Sequence, residues 1–143
     1  MFLGEYQHTL DSKGRLILPS AFREQLEGGL VMTVGVDHCL TVHPQQEWDR
    51  VLAGLRSLRS TDRRERMFVR MMTSSAHPEQ PDKQGRITIP QRLRGYASLD
   101  RDITVVGADE RVELWDSARW ERYREDAMRE FAETDAPFDL GGF

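Results

Sequence analysis

Two short stretches hold the side chains best placed to do chemistry: Asp11-Ser-Lys-Gly-Arg-Leu-Ile-Leu-Pro19 and Asp82-Lys-Gln-Gly-Arg-Ile-Thr-Ile-Pro90. Four positions are identical between them, Asp11/Asp82, Gly14/Gly85, Arg15/Arg86 and Pro19/Pro90. In each, a carboxylate precedes a tight turn and a guanidinium follows it. Lys13 and Lys83 add an ammonium at the same tip. A planar guanidinium fork and a compact point charge on long stems are anion-binding chemistry, suited to phosphate or to the acceptor edge of a base. Hydrolytic and metal chemistry find no such footing. His8, His38, His43 and His77 are scattered, and the chain has no His-Glu-x-x-His, no Gly-x-Ser-x-Gly and no phosphate loop of the common kinds. The carboxylates are too many to single out a catalytic pair, so no enzymatic role and no metal or cofactor is expected.

The elements that must position these groups follow from local rules. Asp bonds its own backbone two residues on, and Gly supplies the positive φ that closes a narrow hairpin. The aliphatic run after it is a short strand, ended by Pro, which cannot donate to a ladder. Residues 2–10 alternate roughly, with Tyr6, His8 and Leu10 on one side, and lead into the first turn as a strand. After Pro19, a short helix started by Ser20 carries Phe22 and Leu26 on one face, and Gly28-Gly29 stops it. Leu30–Val36 and Cys39–His43 form a strand pair around Asp37-His38, matched in the second copy by Ile103–Gly107, Asp109–Arg111 and Val112–Trp115.

Both copies then enter a helix. Trp48, Val51, Leu52, Leu55 and Leu58 form one apolar stripe, and Trp120, Tyr123, Ala127 and Phe131 form the other. The two tryptophans are expected as core anchors rather than as base stackers. Only the middle of the chain adds a further helix, capped by Thr61, with Met67, Phe68 and Met71 as its apolar side. Arg56, Arg59, Arg63, Arg64, Arg66 and Arg70 make this the densest basic run. It is expected as a solvated or subunit-pairing face before a phosphate-binding one.

A chain of 143 residues with 38% apolar and 31% charged residues is globular, with a highly charged surface and no membrane span. The start, Met-Phe-Leu-Gly-Glu-Tyr-Gln, lacks the basic segment and long apolar run of a secretory signal, which points to the cytosol. The single Cys39 excludes an intrachain disulfide and is expected as a small core residue. The net charge of -4 argues against an anionic partner only on average. Residues 109–139 carry 11 acids and 5 arginines, whereas the 13 acids before them face 15 bases, so an acidic end masks a mildly basic body.

The doubled Asp-x-x-Gly-Arg-φ-x-φ-Pro motif, each copy followed by a short helix, a Gly-x-Asp hairpin and a Trp-bearing helix, resembles the MraZ family of bacterial transcriptional regulators. The resemblance covers the chain to about residue 133. It implies an α+β fold: a duplicated AbrB-type swapped-hairpin β-barrel with short helices and an inter-repeat helical pair. Residues 5–47 and 76–119 would be the two AbrB-like halves, 48–75 the helical connection, 120–133 a C-terminal helix and 134–143 a flexible tail. It also implies a ring-shaped homo-oligomer that binds double-stranded DNA at direct repeats upstream of the division and cell-wall gene cluster, and a cytoplasmic, nucleoid-associated location, with no membrane and no small-molecule substrate expected.

On the matching residues, the resemblance assigns Arg15 and Arg86 to DNA contact, Lys13 and Lys83 to phosphate, and Asp11 and Asp82 to orientation. Arg23 and Arg94, on the short helices, are weaker phosphate candidates. Asp11 and Asp82 either bridge to the arginines or fix the turns by themselves, and a purely local ion pair is the bland alternative. A partner-docking role for the acidic helix and tail is the other alternative. The copies also differ. Pro78 and Pro81 weaken the strand before the second motif, and Ser12-Lys13 becomes Lys83-Gln84, so equal roles for the two motifs do not follow.

Overall fold

The computed structural model describes residues 1–135; the expected tail therefore lies, from residue 136 on, outside the described residues. In chain order the elements are β1 Glu5–Thr9, β2 Arg15–Ile17, α1 Ser20–Leu26, β3 Leu30–Val34, β4 Leu40–Pro44, α2 Gln45–Arg56, α3 Arg63–Ser74, β5 His77–Glu79, β6 Arg86–Thr88, α4 Gln91–Tyr96, β7 Asp102–Ala108, β8 Arg111–Asp116 and α5 Ser117–Ala132. The fold is α+β, as expected, with five helices and strand pairs that are all antiparallel.

Six strands form one sheet in the order β1-β7-β8-β4-β3-β5, and β2 with β6 form a separate two-stranded ribbon. The repeats trade strands. β1 of the first copy pairs with β7 of the second (Tyr6 opposite Val105), and β5 of the second pairs with β3 of the first (Val31 opposite Pro78). A single core cluster draws on both copies, with Leu16, Leu18, Phe22 and Leu26 from the first against Ile87, Ile89, Leu93 and Ile103 from the second. The sheet does not close into the expected barrel, because its end strands β1 and β5 do not pair with each other. β5 is only three residues long and contains Pro78, which has no N–H to offer a further neighbour. It is the short edge strand that the two prolines announced.

Helix starts depart from expectation. Ser20 does not cap α1: Pro19 does, and Pro44 and Pro90 stand at the same place before α2 and α4, each with φ near the value its ring imposes and no side-chain capping bond. For α3 the cap is Asp62 rather than Thr61, its carboxylate accepting from the N–H of Glu65 at 2.9 Å. A charged acceptor answers the positive helix end better than a hydroxyl does.

Trp48 is buried as an anchor, and Trp120 packs edge-on against the buried Trp115 with ring centroids 5.2 Å apart. Cys39 lies in the core, where burial pushes its thiol up to about 12 and leaves it without thiolate character. Among the described residues, the apolar side of α3 and much of that of α5 are left open, Tyr123 being covered in part by Trp115 and Trp120. Met67, Phe68 and Met71, and likewise Tyr123, Met128 and Phe131, stand exposed. No helix of the described residues is long and apolar enough to cross a membrane.

Candidate nucleic-acid interface

Each motif builds its turn from one carboxylate. Asp11 Oδ1 accepts from the backbone N–H of Lys13 and of Arg15, both at 2.9 Å, while Oδ2 accepts from Arg15 Nε at 2.7 Å. Asp82 repeats this with the N–H of Gln84 and Arg86 at 2.9 Å and Arg86 Nε at 2.7 Å. The Asp therefore fixes the turn and bridges to the arginine at once. Gly14 and Gly85 stand at φ +74° and +77°, which only glycine takes without strain. Clamped by Nε alone, each guanidinium has both terminal nitrogens without a protein partner among the described residues. Lys13 and Lys83, at the exposed turn tips, form no ion pair among the described residues.

The hydrogen bonds from the Arg15 backbone, with those of its side chain and of Lys13, hold the Asp11 carboxyl down at about 2, and the same set lowers Asp82. A carboxyl lowered on folding contributes fully above its unfolded value of 3.8 and loses that contribution as pH falls towards 2. Asp11→Asn should therefore flatten the pH dependence of stability between pH 4 and 2 relative to wild type. Acid titration followed by circular dichroism tests this, and parallel curves would show that the ionised carboxylate does nothing for the turn.

The two motifs meet in the ribbon. Its register sets Arg15 opposite Thr88, Leu16 opposite Ile87 and Ile17 opposite Arg86. The N–H of Leu18 donates to Gly85 O at 2.8 Å and that of Ile89 to Gly14 O at 2.9 Å, so each strand end is tied to the other repeat's turn. Strand alternation sends Leu16 and Ile87 inward, where both are fully buried, and turns Arg15, Ile17, Arg86 and Thr88 outward. Glu79 Oε1 accepts from the N–H of Thr88 at 2.8 Å and ties the ribbon to β5; burial raises the Glu79 carboxyl.

Four of the cations singled out by sequence thus belong to one ribbon and its turns, and Arg23 and Arg94 reach it from α1 and α4. Arg23 Nε donates to Leu18 O at 2.9 Å, whereas Arg94 Nε is buried with no hydrogen-bond partner among the described residues. Ile17 and Thr88 share the outward face and were not singled out. Alternation within Arg-Leu-Ile and Arg-Ile-Thr is the signal that marks them. The arginines of α2, α3 and the turn between them lie apart from the ribbon in sequence, and part of their charge is spent locally, as where Arg59 of that turn reaches Glu65 of α3 through Nε at 3.2 Å.

Comparison with known proteins returns one family twice. The family described as "MraZ protein, putative antitoxin-like" matches residues 1–71 and again residues 72–139. Proteins named transcriptional regulator MraZ are similar over nearly the whole chain. That of Salinispora arenicola (strain CNS-205) is 50% identical over 133 residues, 93% of this chain and 94% of the relative. That of Micrococcus luteus is 50% identical over 135 residues, 94% of each, and that of Halothermothrix orenii is 46% identical over 142 residues, 99% of each. Each half of the internal duplication matches the same family, and the chain belongs to the MraZ family.

Proposed function

We propose that this chain is a DNA-binding transcriptional regulator that lays the β2–β6 ribbon against duplex DNA. The observation that carries the proposal is the outward ribbon face, where Arg15 and Arg86 are each held by an aspartate at 2.7 Å and have terminal nitrogens without a partner among the described residues. A two-stranded ribbon fits the major groove of B-DNA, where an arginine fork matches guanine O6 and N7. Arg15 and Arg86 read bases, Lys13 and Lys83 meet phosphates from the turn tips, Asp11 and Asp82 orient the forks, and Arg23 and Arg94 flank them as further cations. Ile17, 45% exposed between two polar neighbours, offers an apolar contact of the kind a thymine methyl accepts. The exchange of β1 and β5 between the repeats supports the swapped-hairpin arrangement that the family resemblance implies.

The same proposal includes a ring of identical copies acting on direct repeats upstream of the division and cell-wall gene cluster. One chain has two uncovered apolar surfaces of unlike kind. Met67, Phe68, Met71 and Tyr96 line a groove of about 730 Å³ beside the basic face of α3, and Tyr123, Met128 and Phe131 stand on α5, whose acids and arginines balance. Contacts between unlike patches are head-to-tail, and such contacts close into a ring when the rotation from copy to copy closes. A single ribbon offers few cations, so its own affinity is weak and salt-dependent; several ribbons in step with several operator repeats multiply it. Binding of the full chain to DNA carrying one, two or three repeats should tighten steeply with each repeat. Equal affinity for all three would remove the ring.

A further inference from the structure

The glycines of the two turns are not open on their outer side. A Cβ placed on Gly85 would stand 2.7 Å from Arg23 Nε, and one on Gly14 would stand 2.7 Å from Arg94 Cζ and Nη1. The contact is crossed: the arginine of the first repeat's short helix covers the second repeat's turn, and the reverse. Both glycines are buried although the residues before them are exposed, which is what a guanidinium lying over the turn produces. Arg23 is pinned there through Leu18 O, the carbonyl of the residue whose N–H bonds Gly85 O. Arg94 holds the matching place with its Nε buried and unpartnered among the described residues, where it packs over Gly14.

We infer that Arg23 and Arg94 are positioning residues that work crosswise, Arg94 setting the Gly14 turn and with it Arg15, Arg23 setting the Gly85 turn and with it Arg86. The inference deepens the DNA-binding proposal and rests on it. The residue after each covered glycine is the reading arginine, and its carboxylate clamp is anchored on the same turn. A lid that stops the turn from rocking therefore stops the fork from rocking. Glycine is needed there for its φ, and its missing Cβ leaves the room in which the guanidinium lies.

The test uses the full chain on DNA carrying one repeat. Arg23→Met and Arg94→Met, which keep an apolar stem without the fork, are combined with Arg15→Ala and Arg86→Ala in double-mutant cycles across a salt series. Arg94→Met should weaken binding about 10-fold alone and add almost nothing in the Arg15→Ala background, while keeping its full loss in the Arg86→Ala background; Arg23→Met should show the mirror image. The salt slope should stay at the wild-type value, and Arg94→Lys should not restore binding, because an ammonium does not cover the turn. Losses that add in every background, with the slope reduced by about 0.9 for each arginine and rescue by lysine, would make both residues phosphate contacts and overturn the inference. Coupling within a repeat instead of across repeats would also overturn it.

Hydrogen exchange on the free protein reads the same crossing without DNA. Residues 82–86 should exchange faster in Arg23→Met, and residues 11–15 in Arg94→Met. If the wild-type chain fails to bind DNA, the DNA-binding proposal falls, and this exchange pattern still decides whether the lids are crossed.

Discussion

Arg15→Ala combined with Arg86→Ala should abolish sequence-specific DNA binding while the protein stays folded. A well-formed arginine fork on a base contributes about 1–3 kcal/mol of discrimination, so the pair is worth about 10²- to 10⁴-fold on a single site, and more where several copies bind together. Folding should survive because Asp11 and Asp82 keep their backbone N–H partners and the buried side of the ribbon is untouched. On the same proposal Lys13→Ala should give the contrasting result, weaker binding to every sequence and a shallower salt dependence, as expected of a point charge that meets phosphate and not a base. Titration of wild type and variants against upstream and scrambled DNA separates the two outcomes. If the double arginine variant discriminates as wild type does, the reading face lies elsewhere on the molecule.

The turn was legible in sequence because all its causes lie within five residues. The Asp acceptor, the positive-φ glycine and the returning N–H are local, and the structure reproduces them in both copies with the same distances. What the turn is joined to was not legible. Nothing local in Arg-Leu-Ile says that its partner strand is Arg-Ile-Thr of the other copy, because ribbon pairing is decided by burial of Leu16 against Ile87 across the whole core. Helix caps failed for a related reason. Ser20 and Thr61 have the right chemistry for a cap, but Pro19 already fixes the entry angle and Asp62 offers a stronger acceptor one residue later. The stripes on α3 and α5 had the period of buried faces, yet period reports that a face is apolar and not what covers it. Met67, Phe68 and Phe131 are exposed in this chain.

Leu16→Ala tests the other side of the ribbon, and its effect on stability should be the largest of any single change proposed for this chain. Leu16 is fully buried, faces the equally buried Ile87, and is bridged to Leu10 at the end of the first strand. Truncating such a side chain costs about 2–5 kcal/mol, the transfer term plus the cavity left between elements that cannot close on it. Against a typical net stability of about 5–15 kcal/mol, that is enough to leave the chain marginal at physiological temperature. Ile87→Ala should cost a similar amount, and the double variant less than the sum, because both side chains line one cavity. Denaturant unfolding at fixed protein concentration measures this, with the slope unchanged and the midpoint lowered. A loss below about 1 kcal/mol, the range of ordinary surface changes, would mean that the ribbon rides on the core without belonging to it. Its arginines would then have no rigid base to be held against, and the reading face would lose its preorganisation even with every side chain in place.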